Sequence, residues 1–152
     1  MSTTLPQAND FGSTPLVSLQ AIAEAIRANG TDCEIVGDAS TEIRGVAIDS
    51  RKAAATCLFI CKGAGFKPAF LESAIASGAV AYLCQGKLDE QGKLTAPTDL
   101  AAAAAGTPAI VAADVRRAMA TASKVAYGDP STGLNIVGIT GTKGKTTTSY
   151  ML

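Results

Sequence analysis

Leu134-Asn-Ile-Val-Gly-Ile-Thr-Gly-Thr-Lys-Gly-Lys-Thr-Thr-Thr148 joins an apolar run, a glycine-rich turn, two lysines and three threonines in one short stretch. Ile136 to Ile139 reads as a buried strand, Thr140 to Lys145 as a loop of small residues, and Thr146 to Leu152 as the start of a helix. Elements in that order build a phosphate cradle. Gly141 and Gly144 let the backbone turn tightly and bring its N–H groups against an anion. The helix start adds unpaired N–H donors and the positive end of its dipole. In a phosphate loop the lysine reaches the β/γ-phosphates and the next hydroxyl ligates Mg²⁺, which here assigns Lys145 and Thr146. The spacing is a variant of the motif, because Ile139 stands where the leading glycine belongs.

Working outward from this stretch, the chain of 152 residues has room for one ordinary domain core, or one domain plus part of another. Its 13 basic and 13 acidic residues balance, so charge gives no reason to expect a nucleic acid or a membrane surface as partner. An apolar share of 47% argues for a packed core rather than disorder. No segment is long and apolar enough to span a bilayer. Residues 1–15 lack the basic start and apolar centre of a secretion signal and read as a flexible polar tail. Cys57, Cys61 and Cys84 lie in or beside apolar runs, as small core residues do, and all four cysteines are expected to be reduced thiols in a cytoplasmic protein. The absence of histidine excludes Cys/His zinc sites and every histidine-based catalytic dyad.

Ser18 to Asn29 has the cap, the helical spacing of Leu19, Ile22, Ala23 and Ile26, and the closing Gly30 of an amphipathic helix. Ile43 to Ile48 reads as one strand running into Asp49-Ser50-Arg51, and Cys57 to Cys61 as a second. Lys62 to Lys67 is a flexible turn, and Pro68 opens a helix to Ser77 that Gly78 stops. Ala79 to Cys84 and Pro108 to Ala112 are further strands. Between them, residues 85–107 are the least regular, with an alanine run, Ala101 to Ala105, that suits either a helix or a surface insertion. Asp114 caps a helix through Tyr127, and Gly128 to Gly133 is a turn that marks a domain boundary. Strands alternating with helices predict an α/β fold.

The segment Val137 to Thr148 resembles the ATP loop of the Mur ligases, the ADP-forming amide ligases of peptidoglycan synthesis, most of which carry Asn where this chain has Lys143. Val46-Ala-Ile-Asp-Ser-Arg51 with Leu58-Phe-Ile-Cys-Lys-Gly63 resembles the D-S-R and L-F-x-x-x-x-G signature of the MurE and MurF amino-terminal domains, with the turn one residue short. Phe70 to Ala81, Asp114 to Ala118, and Tyr127-Gly-Asp-Pro130 resemble the blocks that follow. The likeness is nearest to the MurE type, with MurF as the rival and a non-catalytic UDP-sugar-binding module as the alternative outside the enzymes.

The resemblance implies a small mixed-sheet α/β domain with flanking helices over 16–130, binding the UDP end of a UDP-N-acetylmuramoyl-dipeptide. Residues 131–152 would be the first strand, P-loop and helix start of a truncated ATPase domain. It implies ATP and Mg²⁺ as cofactors and an amino acid as co-substrate, selected outside this chain. Gly141, Thr142, Lys143, Gly144, Lys145, Thr146 and Thr147 would contact ATP; Lys145 and Thr146 would be catalytic, with Thr146 on Mg²⁺. Ile48, Ser50, Arg51, Gly63 and Ala64 would contact the UDP-muramyl peptide. The chain ends within a helix, and as a fragment it is expected to be inactive alone. Phe66-Lys67-Pro68 replaces the D-G-H or D-G-R element of relatives, so Lys67 is expected to supply positive charge there.

Overall fold

Cys57–Cys61, labelled β5, is buried at every position. Such a strand needs cover on both faces and a neighbour on each edge, as in an α/β layered fold. A computed structural model of the chain, describing residues 14–133, 138, 140–143 and 146–147, supplies both. Ala79–Gln85 (β6) and Gly45–Ala47 (β4) flank β5 in parallel. Ala109–Ala112 (β9) extends the sheet in parallel beyond β6, and Cys33–Val36 (β2) closes that edge antiparallel, for the order β2-β9-β6-β5-β4. The sheet is therefore mixed, with helices on both faces.

Side chains alternate across a strand, so each strand feeds two cores. Leu58 and Ile60 join Ala81, Leu83 and Ile110 beneath the helices Leu19–Ala28 (α1) and Val115–Ala126 (α4). Cys57, Phe59 and Cys61 point the other way, with Tyr82, Cys84 and Val111, beneath Pro68–Ala76 (α2) and Thr98–Ala103 (α3). α1 buries Leu19, Ile22, Ala23 and Ile26 and is capped by Ser18 Oγ, which accepts from Ala21 N at 3.2 Å. α4 is capped by Asp114 Oδ1, which accepts from Arg116 N at 2.9 Å and Arg117 N at 3.1 Å. Gln85 Oε1, at the end of β6, accepts from Val115 N at 3.0 Å and ties this helix start to the sheet. Each fully buried Leu or Ile contributes about 1.5–3 kcal/mol of burial free energy, so the aliphatic stripes outweigh any single cap.

Three local readings change. The segment expected as one strand over Ile43 to Ile48 is two: Glu42–Ile43 (β3) pairs antiparallel with Val17–Ser18 (β1), and β4 begins only at Gly45. Ile43 packs on the α1/α4 side and Ala47 on the α2/α3 side, which a single straight strand cannot do for two residues four apart. β2 was absent from the sequence reading. Residues 85–107 carry a hairpin, Lys87–Leu88 (β7) with Leu94–Thr95 (β8), and then α3, which starts at Thr98, ahead of the alanine run. Ala105 and Gly106, at φ of 47° and 85°, terminate it.

All four cysteines are buried and unbridged. Burial pushes every one of these thiols upward, Cys84 to about 12. Among the described residues no helix is long and apolar enough to cross a membrane. The strand expected at Ile136 to Ile139 lies outside the described residues except for Gly138.

Candidate functional site

β4 and β5 run parallel, so their carboxyl ends open on the same side of the sheet, where α/β proteins place ligands. After Ala47 the chain passes through Ile48 and Asp49 into a short 3₁₀ turn, Ser50–Lys52. After Cys61 it passes through Lys62, Gly63 and Gly65 into α2. These two exits enclose a cleft of about 720 Å³. Four of the five residues expected to touch the UDP-muramyl peptide line it: Ile48, Ser50, Arg51 and Gly63. Ala64 is exposed on the same loop but is not part of the lining, and neither is Lys67. Lys62 is, so the positive charge on this loop that faces the cleft sits five residues earlier than expected.

One wall is apolar. Phe59 rises from β5, Phe66 from the loop and Phe70 from α2, with ring centroids 6.4 Å apart for the first pair and 6.1 Å, edge to face, for the second. Such geometry is favourable for aromatic pairs; Phe59 is buried as the floor of the wall, whereas Phe70 is exposed beside the cleft. Ile48, 62% exposed, lines the same cleft as an apolar side chain outside both buried cores. The rim is polar, with Ser50, Arg51, Lys62 and Ser73.

The charged rim is unevenly committed. Asp49 accepts from Arg51 three times: from its backbone N at 3.0 Å, from Nε at 3.0 Å and from Nη2 at 2.7 Å. These bonds hold the Asp49 carboxyl down to about 2 and raise the Arg51 guanidinium further above its ordinary value. Lys62 has no ion pair or hydrogen bond among the described residues. Gly63 takes φ of +110°, which L side chains rarely adopt, and its carbonyl accepts from Phe66 N at 3.2 Å to close the turn.

The β4 side of the cleft is held from behind. Tyr127 Oη, at the end of α4, donates to Val46 O and accepts from Val46 N, both at 3.4 Å. This occupies backbone groups on the outer edge of the sheet, two residues before Ile48.

Of the residues expected to contact ATP, Gly141, Thr142 and Lys143 are exposed and outside regular structure, with Gly141 at φ of 153°. Thr146 and Thr147 are exposed and helical. Gly144 and Lys145 lie outside the described residues. An exposed hydroxyl at a helical position after a glycine-containing loop has the donor chemistry that Mg²⁺ takes, a hard oxygen.

Sequence reasoning missed Lys62, Phe59, Phe66, Phe70 and Ser73 as cleft residues. One signal was present: three of the four phenylalanines in the chain fall between positions 59 and 70. Two other clefts, of about 480 Å³ beside β2 and the hairpin and about 600 Å³ between α1 and α4, contain none of the residues singled out from the sequence.

No model of a known protein family matches the chain. Curated proteins do. It is 40% identical over 114 residues, 75% of its length, to the UDP-N-acetylmuramyl-tripeptide synthetase of Latilactobacillus sakei, of which it covers 20%. It is 41% identical over 105 residues, 69% of its length, to the protein of the same name from Limosilactobacillus reuteri, covering 18%. Against the UDP-N-acetylmuramoyl-L-alanyl-D-glutamate–L-lysine ligase of Enterococcus faecalis it is 34% identical over 109 residues, 72% of its length, covering 19%. The chain thus spans about a fifth of the length of the curated relatives it matches.

Proposed function

The chain belongs to the Mur ligase family, and on that premise we propose that it is part of an ATP-dependent ligase of peptidoglycan precursors, of the type that adds an amino acid to UDP-N-acetylmuramoyl-L-alanyl-D-glutamate. Residues 16–130 form the domain that holds the UDP end of this substrate, and residues 131–152 open the ATPase domain. The observation that carries the reading is the gathering of Ile48, Ser50, Arg51 and Gly63 around one cleft with an aromatic wall.

In this reading the uracil ring lies against Phe66 and Phe70, with Ile48 covering its other side, and burial of these apolar surfaces provides affinity. The Ser50 hydroxyl, the rim cations and the turn at Gly63 address the ribose and diphosphate. Residues Gly141 to Lys145 orient nucleotide phosphates through their backbone N–H groups; Lys145 neutralises phosphate oxygens, and Thr146 gives its hydroxyl to Mg²⁺, with Thr142, Lys143 and Thr147 as further contacts. Bound ATP supplies the phosphoryl group that turns the D-glutamate carboxylate into an acyl phosphate, open to attack by the amine of an amino acid. The contribution of these residues is positioning and charge neutralisation. The setting is cytoplasmic, where nucleotide-activated precursors and ATP meet.

The reading is tested by titrating the chain with UDP-N-acetylmuramoyl-L-alanyl-D-glutamate while recording ¹⁵N–¹H NMR spectra. Amides of residues 48–51 and 62–66 are expected to shift together and saturably. Shifts confined to the other two clefts, or none, would remove the proposal. In the protein at its full natural length, ADP release should require the dipeptide precursor and an amino acid, and Thr146→Ala should abolish it.

A further inference from the structure

We propose that Lys62, and not Arg51, is the cation that recognises the diphosphate of a nucleoside diphosphate held in the cleft between β4 and β5. This rests on the reading of that cleft as a uridine diphosphate site and assigns the charge recognition within it.

Among the described residues, three charged side chains line the cleft: Asp49, Arg51 and Lys62. Arg51 is the obvious anion receptor by residue type, since its fork suits a phosphate. Its Nε/Nη2 edge is already committed, because Nε and Nη2 both donate to the Asp49 carboxylate, which leaves the outer N–H groups of the guanidinium beside a bound counter-charge. The pair sits two residues apart on one tight turn, and the Arg51 backbone N–H reinforces the same carboxylate, so the arrangement is local and pre-formed. A phosphate approaching Arg51 meets an adjacent carboxylate, and Asp49 stays ionised at any pH near neutral. The two charges cancel at a distance, and the net +1 of the lining resides on Lys62.

Lys62 is placed to use it. It follows the last residue of β5, is exposed, and has no partner among the described residues to give up. A lysine is a compact point charge with rotatable donors, so it can meet either phosphate of a diphosphate without a fixed approach angle. Gly63 and Gly65 beside it add no side chain that would fill the space a phosphate needs, and nothing lies within 4 Å of where a Cβ on either would stand. The aromatic wall takes the base, and Lys62 distinguishes nucleotide from nucleoside.

The test uses the chain as it stands, with UDP and uridine as probes and ¹⁵N–¹H NMR shifts as readout at low salt. The unaltered chain should bind UDP more tightly than uridine. Lys62→Gln should weaken UDP by about fivefold to tenfold, between the effect of a surface ion pair and that of a charge-assisted hydrogen bond, and leave uridine unchanged. Lys62→Arg should retain most of the UDP affinity, and Arg51→Gln should lower it by less than Lys62→Gln does. Superposable spectra of the free variants establish that each is folded, and Lys62→Met serves if Lys62→Gln is not. Full UDP affinity in Lys62→Gln together with its loss in Arg51→Gln would reverse the assignment. If the unaltered chain binds uridine and UDP equally, the base site stands and the role of Lys62 is overturned. If it binds neither, the reading of the cleft itself fails and takes this inference with it.

Discussion

The two faces of the central sheet are built differently. On one, α1 and α4 lay long aliphatic stripes across the strands, and both begin with a side-chain cap, Ser18 and Asp114. On the other, α2 and α3 cover a mixture of small Ala and Cys with the rings of Phe59 and Tyr82, and neither is capped by a side chain. Lys67 and Pro97 stand at those cap positions. The first face is organised for cohesion. The second gives up part of that cohesion, and its helix α2 leaves Phe70 43% exposed beside the cleft. The difference teaches that the longer aliphatic packing and the candidate cleft are divided between opposite sides of one sheet.

The largest effect that can break this comparison comes from paired truncations. Ile22 on α1 and Leu71 on α2 are both fully buried. Ile22→Ala and Leu71→Ala should each lower stability by about 2–5 kcal/mol, as core truncations do, read from urea denaturation followed by circular dichroism. That is a large part of the roughly 5–15 kcal/mol that holds a typical domain together. Below their unfolding transitions the two variants should part: Ile22→Ala keeps the UDP affinity of the unaltered chain, whereas Leu71→Ala weakens it because α2 carries Phe70 and Ser73. Equal effects on affinity would show that the faces are not divided in function.

A smaller effect concerns the caps. Asp114→Ala removes the acceptor of two backbone N–H groups and should destabilise by about 1 kcal/mol. Lys67→Ala removes a side chain that caps nothing, and its denaturation midpoint should not move. A loss in Lys67→Ala equal to that in Asp114→Ala would mean that α2 depends on an interaction of Lys67 beyond those described.

How much of this could be read from the chain follows the same division. α1 and α4 were legible because cap, apolar period and terminator agree along a dozen residues. β5, β6 and β9 were legible as short apolar runs. β3, β7 and β8 were not, because two residues carry no period. β2 was missed because Cys33-Glu-Ile-Val36 alternates over only two turns of the pleat and owes its place to non-local pairing with β9. In the site, Ile48, Ser50, Arg51 and Gly63 came from family resemblance rather than from residue chemistry. Lys62, Phe66 and Phe70 were missed because a sequence does not say which charges are already paired or which rings line a cleft rather than fill a core, and Phe59 because it does both.

The smallest expected effect is also the most discriminating for the cleft. The Asp49 carboxyl lies well below its ordinary 3.8, at about 2, because it is more strongly bonded in the folded chain than in the unfolded one. A depressed acid stabilises the fold above its unfolded pKa, and the contribution fades as pH falls from about 4 toward about 2. Both partners are on the surface, so solvent screens the pair and its effect on folding should be slight. Asp49→Asn should therefore leave the denaturation midpoint at neutral pH unmoved. Its effect on binding should be visible, because the substitution removes the charge that cancels Arg51. UDP affinity should rise by about twofold to threefold at low salt, the scale of one exposed charge, and the gain should shrink at physiological ionic strength, where the screening length is about 8 Å. The same substitution in a Lys62→Gln background should recover part of the lost affinity by freeing the Arg51 fork. A fall in UDP affinity on Asp49→Asn would instead mean that the carboxylate serves to aim Arg51 at the ligand, and the two rim cations would have to exchange roles.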